Sequence, residues 1–168
     1  MKKIGVLSDT HNFFDHKIID FFKGCDQIWH AGDIGNMDII TDLKSIFSEV
    51  HAVYGNIDDW VVRAQLPEVD KFYVENMYVI IKHICGRPLH YDASVRELLL
   101  SEKPNILVCG HSHILRVEYD KKYNLLFINP GAAGNSGFHK VRTALKFVID
   151  KDKLKDLQVL ELKRGRAQ

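Results

Sequence analysis

The sequence predicts a layered α/β domain with mixed sheets, and three observations carry that prediction. Short apolar runs ending in polar loops alternate with amphipathic stretches through the first half of the chain. In the second half, apolar segments follow one another across brief turns, the pattern of antiparallel neighbours. The length, 168 residues with 46% hydrophobic and 27% charged side chains, gives a single domain over 1–168 room for a real core and little room for a second.

Taken in order, Ile4-Gly5-Val6-Leu7 is a buried strand that empties into Ser8-Asp9-Thr10-His11-Asn12. Phe13 to Phe22 reads as a helix, with Ile18, Ile19, Phe21 and Phe22 set among Asp and Lys, and Gly24 stops it. Gln27 to His30 is a brief strand closing on Ala31-Gly32-Asp33, Met37 to Phe47 a second helix, and Val50 to Tyr54 a strand closing on Gly55-Asn56-Ile57-Asp58. Lys71 to Glu75 and Tyr78 to Lys82 read as neighbouring strands, and Ala93 to Leu100 as a short helix before Pro104. Asn105 to Cys109 is again a buried strand, emptying into Gly110-His111-Ser112-His113. Leu115 to Tyr119, Leu125 to Asn129, Ala144 to Ile149 and Leu157 to Leu162 complete the strands, and Lys163-Arg164-Gly165-Arg166 reads as a solvated terminus.

Composition excludes several function classes. A net charge of +1 provides no overall field to hold a nucleic-acid backbone or an anionic membrane, so stable binding to either is not expected. No segment reaches the ~18 apolar residues of a membrane span, and the apolar run after Met1-Lys2-Lys3 is too short for a signal peptide. Three cysteines, Cys25, Cys85 and Cys109, are too few for a disulfide framework and argue for a reducing cytoplasm.

What the strand ends deliver is chemistry. Asp9 and His11, Asp33, Asn56, His83, and His111 with His113 stand at five such ends. Ligands of open α/β sheets bind beyond the carboxyl edges of the strands, where these side chains would converge. Carboxylate, imidazole and amide oxygen together suit Mn²⁺, Fe²⁺ or Zn²⁺ better than Mg²⁺, which prefers oxygen alone.

In order and type, Asp9-Thr10-His11, Gly32-Asp33, Gly55-Asn56-Ile57-Asp58, His83, Gly110-His111-Ser112-His113 and Asn129-Pro130-Gly131 resemble the motifs of the calcineurin-like metallophosphoesterases, in particular their short single-domain prokaryotic phosphodiesterases. The resemblance implies two mixed β-sheets packed as a sandwich and flanked by helices. It further implies two divalent ions, Mn²⁺ first with Zn²⁺, Fe²⁺ or Ni²⁺ as alternatives. Asp9, His11, Asp33 and His113 would hold one ion, and Asp33, Asn56, His83 and His111 the other. Asp33 would be the bridge, a metal-bridging hydroxide the nucleophile, and Asp33, Asn56 and His111 the catalytic core. The implied substrate is a small phosphodiester, and a homo-oligomer is compatible with the family.

A lone histidine is more often a core or surface residue than a ligand, and His16 and His51 are read that way. His30 and Asp58 are candidates for supporting ligands from behind, against ordinary packing and a loop cap. His90 and His139 could reach a substrate phosphate, Asn12 and Asn36 could donate to one or simply turn the chain, and Cys85 reads as a structural thiol before a soft ligand. Two departures from the family pattern stand out. Larger members carry a histidine where Ile57 stands, and the block around His83 reads Lys-His-Ile-Cys-Gly in place of Thr-His-Gly. A competing reading is a non-catalytic protein-interaction scaffold of the same fold, as in the eukaryotic retromer subunit. Gly134-Asn135-Ser136-Gly137-Phe138 lacks the last glycine of a nucleophile elbow, and no P-loop is present.

Overall fold

A computed structural model describes residues 1–165. The elements run β1 (Lys2–Leu7), α1 (His16–Phe22), β2 (Gln27–His30), α2 (Met37–Ile46), β3 (Glu49–Ala52), α3 (Trp60–Gln65), β4 (Val69–Val74) and β5 (Met77–Lys82). They continue β6 (Gly86–Arg87), β7 (His90–Tyr91), α4 (Ala93–Glu102), β8 (Ile106–Val108), β9 (Leu115–Asp120), β10 (Leu125–Pro130), β11 (Val141–Asp150) and β12 (Lys153–Lys163).

Two five-stranded mixed sheets result, ordered β12-β11-β1-β2-β3 and β4-β5-β8-β10-β9. In the first, β1, β2 and β3 are parallel, and β11 joins β1 antiparallel. In the second, β5, β8 and β10 are parallel, with β4 and β9 antiparallel at the edges. The apolar runs of β1, β2, β5 and β8 are buried on both faces because each sheet has its partner sheet on one side and helices on the other. Between the sheets lie Ile4, Val6, Trp29, Val79, Val108 and Phe147. Ile18 and Phe22 of α1 and Ile40 and Leu43 of α2 cover the outer face of the first sheet, while Val95 and Leu99 of α4 cover that of the second. The architecture is therefore helices, sheet, sheet, helix. No helix among the described residues is long and apolar enough to cross a membrane.

Local chemistry explains where the elements depart from expectation. Helix α1 starts at His16 because Asp15 caps it, accepting the Lys17 N–H at 2.9 Å, and it ends before Gly24 is reached. Asn36 is the cap of α2, which is its turn reading. The six-residue α3 and the two-residue strands β6 and β7 are too short to show a period. Strand β12 begins four residues before the expected Leu157 because its solvent face is filled with Lys, Asp and Glu. Of the expected solvated terminus, Lys163 ends β12 and Arg164 grips the 135–139 loop; Arg166 lies outside the described residues.

Cys85 and Cys109 form a disulfide, with Cα atoms 6.2 Å apart, which corrects the reading of Cys85 as a thiol. They follow β5 and β8, parallel neighbours whose ends the fold brings together across a 24-residue separation.

Trp29 anchors the inter-sheet core, its ring edge-on to Phe72 and Phe147 at 5.4 and 5.7 Å and its Nε1–H donated to Gln27 at 3.1 Å. We expect Trp29→Ala to cost about 3–5 kcal/mol in urea denaturation of metal-free protein, and Ile46→Ala, at an exposed position on α2, no more than about 0.5 kcal/mol. Similar losses at both would mean that the core is not where the side chains place it.

Candidate metal centre

Backbone pairing continues past the strands and carries the polar loops with it. Beyond β1 and β2, the N–H groups of Asp9, His11 and Asn12 donate to Gly32, Asp33 and Ile34 at 2.9, 3.0 and 3.0 Å. Beyond β5 and β8, the Gly110 N–H donates to the His83 carbonyl at 3.0 Å. The five strand ends thereby meet at one edge of the sandwich, and all of the sequence-predicted ligands meet with them.

Two adjoining clusters form there. In one, Asp9 Oδ1 lies 3.1 Å from His113 Nε2 and 3.9 Å from His11 Nε2. In the other, His83 Nε2 lies 3.2 Å from Asp33 Oδ1 and 3.1 Å from Asn56 Oδ1, which is itself 2.8 Å from His111 Nδ1. Asp33 faces both, because its Oδ2 is 3.5 Å from His11 Nε2. The triads Asp9, His11, His113 and Asp33, His83, His111 each converge tightly enough to hold a metal ion.

The backbone is bent to make this possible. Asp9, His11, Asp33, His111 and His113 all have φ between 46° and 67°. Residues with a Cβ rarely hold that conformation, and each instance costs of order 1–3 kcal/mol. Gly55 supplies the complementary space, since a Cβ there would fall on Asp33 Oδ1.

Proton placement shows what the clusters lack. His83 Nδ1 faces the Ala31 carbonyl at 2.6 Å, which only accepts, so Nδ1 carries a proton, and Nε2 faces only the acceptor oxygens of Asp33 and Asn56, a gap that a proton or a cation must fill. Asp9 Oδ2 already accepts the His111 N–H at 3.2 Å, while Asp9 Oδ1 and His11 Nε2, both buried, have no hydrogen-bond partner. Burial alone would lower the pKa of His83, yet its hydrogen bond to Asp33 and the charges of Asp9 and Asp33 raise it. Asp33 is likewise held below the usual carboxylate range: burial opposes its charge, but His83, the Ile57 N–H and His11 outweigh it. Both shifts mean that positive charge is favoured between these groups, whether a proton or a metal ion brings it. The residues present fit divalent cations.

The description of a calcineurin-like phosphoesterase superfamily domain matches residues 1–152. The chain belongs to this superfamily. It is 30% identical over 137 residues to a probable metallophosphoesterase of Methanothermobacter thermautotrophicus, covering 77% of this chain and 76% of that one. A phosphodiesterase of Methanocaldococcus jannaschii is 27% identical over 146 residues, covering 77% and 82%. Among solved structures, an archaeal phosphodiesterase superposes with TM-score 0.74 at 21% identity over 95% of this chain and 99% of its own. Vps29 of Entamoeba histolytica, complexed with zinc, superposes with TM-score 0.75 at 17% identity over 97% and 99%. At such identities the structural likeness shows the fold alone.

Behind this superfamily's loops, His30 is fully buried and ties two of them together. Its Nε2–H donates to Thr10 Oγ1 at 3.1 Å, whose own proton goes to the Ile34 carbonyl, and its Nδ1 accepts the Gly32 N–H at 3.2 Å. Asp58 does not touch an imidazole: its oxygens accept the N–H groups of Ile34, Gly35 and Gly55 at 3.2, 2.7 and 2.7 Å, joining the Asp33 loop to the Asn56 loop. Asn129 donates to the Gly110 carbonyl at 2.7 Å and to Ser112 Oγ at 3.1 Å, bracing the His111 loop. His51 is remote, bonded to Asp70 at 2.8 Å and Glu49 at 3.0 Å, and His16 joins neither cluster. His139, read from the sequence only as able to reach a substrate phosphate, lines the cavity over the centre and lies against His113. A cavity of about 510 Å³ lies over the centre, with His11, Asp33, Ile57, His113 and Phe138 in its walls.

Burial pushes the His30 pKa from 6.5 down to about 4. The unfolded chain binds that proton first, so this contribution to stability is complete above pH 6.5 and lost as the pH falls toward 4, about 3 kcal/mol in all. We expect metal-free wild type to lose stability over this window in urea titrations, and His30→Asn, which keeps an acceptor for the Gly32 N–H, to show a flatter profile. Parallel profiles would show that His30 does not titrate in this way.

Proposed function

We propose that this protein is a dinuclear metal-dependent phosphodiesterase acting on small phosphodiesters. The observation that carries the reading is the convergence of carboxylate, imidazole and amide donor atoms into two adjoining clusters, two of those atoms buried without a partner and one oxygen of Asp33 turned to each cluster. Asp9, His11 and His113 would hold one ion, Asn56, His83 and His111 the other, and Asp33 would be shared. The mix of carboxylate, imidazole and amide suits Mn²⁺, Fe²⁺ or Zn²⁺; among these the family resemblance puts Mn²⁺ first and admits Ni²⁺ as a further alternative. Bound there, such ions supply Lewis acidity toward phosphoryl oxygens and bring the pKa of water toward neutrality.

The chain's own groups do the rest. The braced loops fix the donor atoms before any ion arrives, and Ile57 and Phe138 line the open cavity in which an ester would sit. Ile57, 44% exposed at the cavity, presents a side chain with no proton to give, while its N–H is committed to Asp33 Oδ1 at 3.0 Å. A leaving oxygen on that side therefore departs unassisted by residue 57.

The likeness of fold to Vps29 supports a scaffold as the second reading. The two separate cleanly when protein stripped with EDTA is reloaded with Mn²⁺, analysed for metal, and assayed on bis-p-nitrophenyl phosphate. About two ions per chain with hydrolysis is expected. No retained metal and no hydrolysis would leave the scaffold reading in possession.

Asp33→Ala should abolish hydrolysis and lower metal stoichiometry, since both ions lose a donor and the negative charge between them. His111→Ala and His113→Ala should each lower kcat/KM by at least about 10²-fold, and His16→Ala and His51→Ala hardly at all. Equal losses at all four histidines would overturn the assignment.

Wild-type rates should also fall steeply with leaving-group pKa across aryl phosphodiesters. A placed general acid contributes typically about 10²–10⁴-fold, most for the most basic leaving groups. Ile57→His, with metal content matched, should flatten a plot of log kcat/KM against leaving-group pKa. A shallow wild-type slope with chemistry rate-limiting would reveal another proton donor.

A further inference from the structure

The loop between β10 and β11 carries a histidine that the proposed chemistry does not use. His139 Nε2 lies 2.8 Å from the Gly134 carbonyl and His139 Nδ1 lies 3.2 Å from His113 Nδ1, with the two rings 5.1 Å apart and steeply inclined at 75°. A carbonyl only accepts, so His139 Nε2 carries a proton, and in the neutral ring this leaves Nδ1 bare toward His113. Two facing nitrogens need one proton between them. His113 must supply it from Nδ1, which leaves His113 Nε2 bare, 3.1 Å from Asp9 Oδ1.

We propose that His139 is a positioning residue that selects the Nδ1–H tautomer of His113 and so turns His113 Nε2 into a metal donor. This rests on the metal-binding reading given above. It places His139 in the role that the Ala31 carbonyl plays for His83, with a neutral imidazole as the acceptor behind the ligand.

The loop is built for the contact. Gly137, at φ +121°, lies against both rings: a Cβ there would come 2.5 Å from His113 Cε1 and 3.2 Å from His139 Nδ1. The Ala133 and Gly134 N–H groups donate to Ser8 and Asp9 carbonyls at 2.9 and 3.0 Å, so the carbonyl that sets the His139 proton is fastened to the loop that carries Asp9. From the other side, Arg164 donates to the Asn135 and His139 carbonyls at 2.7 and 3.2 Å. The relay therefore spans the end of β12, the 135–139 loop and the ligand itself.

The test uses wild type, His139→Ala and His139→Asn, whose Oδ1 restores an acceptor near the position of Nδ1. The tautomer of His113 is read from long-range ¹H–¹⁵N correlations at pH 8 in EDTA, and the Mn²⁺ dissociation constant of reloaded protein by competition with a chelating dye. We expect His113 to be the Nδ1–H form in wild type and His139→Asn, but mixed or Nε2–H in His139→Ala. Loss of an outer-sphere partner of this kind weakens metal binding about 10–100-fold, so His139→Ala should lose affinity in that range, His139→Asn should recover most of it, and urea stability in EDTA should stay level. An unchanged tautomer in His139→Ala, or affinity equally lost in His139→Asn, would overturn the proposal. Should wild type bind no Mn²⁺, the metal reading itself fails, and the tautomer measurement in EDTA still decides what His139 does.

Discussion

Asp33 sits where two groups of lone pairs meet, and most of what is unusual in this structure follows from holding it there. Its carboxylate lies within 3.2–3.5 Å of imidazole nitrogens on opposite sides, its backbone is in the left-handed region, and its Oδ1 also accepts the Ile57 N–H. Several strand ends must be registered against one another to keep that arrangement. The backbone bonds that prolong β1 onto β2 and β5 onto β8 provide the registration, and His30, Asp58 and Asn129 tie the loops across the remaining gaps. A side chain lost from any of these ties acts on the centre through loop position, without touching a donor atom.

Holding so many acceptors together is unfavourable in a metal-free chain, and strained backbone at five of the positions adds to the cost. The surrounding fold offsets it: the inter-sheet core and the two helical layers are continuous and almost fully buried. The site lies at the edge of that rigid body, on loops whose ends are fixed by parallel strands. Preorganisation of this kind is what lets a site bind cations without first collapsing around them.

Much of the architecture, and the side chains that gather at the candidate centre, could be read along the chain for a common reason: each is announced within a few residues. An apolar run such as Ile106-Leu107-Val108 is followed at once by Gly110-His111-Ser112-His113, so strand and ligand appear as one local pattern. What escaped the sequence is what depends on two distant segments. Cys85 and Cys109 meet only because β5 and β8 are parallel neighbours. His139 could be read only as within possible reach of a phosphate, and its contact with His113 becomes visible only when the β10–β11 loop is seen folding back over the His113 turn. Asp58 seemed a partner for an imidazole, and nothing local shows that three N–H groups from two loops already occupy its oxygens. The spacing of ligands is local information, whereas the partner behind each ligand is tertiary.

The partners behind the imidazoles also bear on charge. A carboxylate hydrogen-bonded to a ligating histidine makes that ligand more basic and brings another negative charge near the metal. Here the Ala31 carbonyl backs His83 and, under the proposal above, a neutral His139 backs His113, while the nearby Asp58 carboxylate is turned away onto backbone N–H groups. Under the proposed occupancy, Asp9 and Asp33 are then the only carboxylates among the donors, too few to neutralise two divalent ions even with a hydroxide added. The centre stays net positive in a protein whose overall charge is only +1. Attraction of an anionic diester would then arise within the cavity, from ions that neutral supports leave under-compensated, and its strength would depend on keeping those supports neutral.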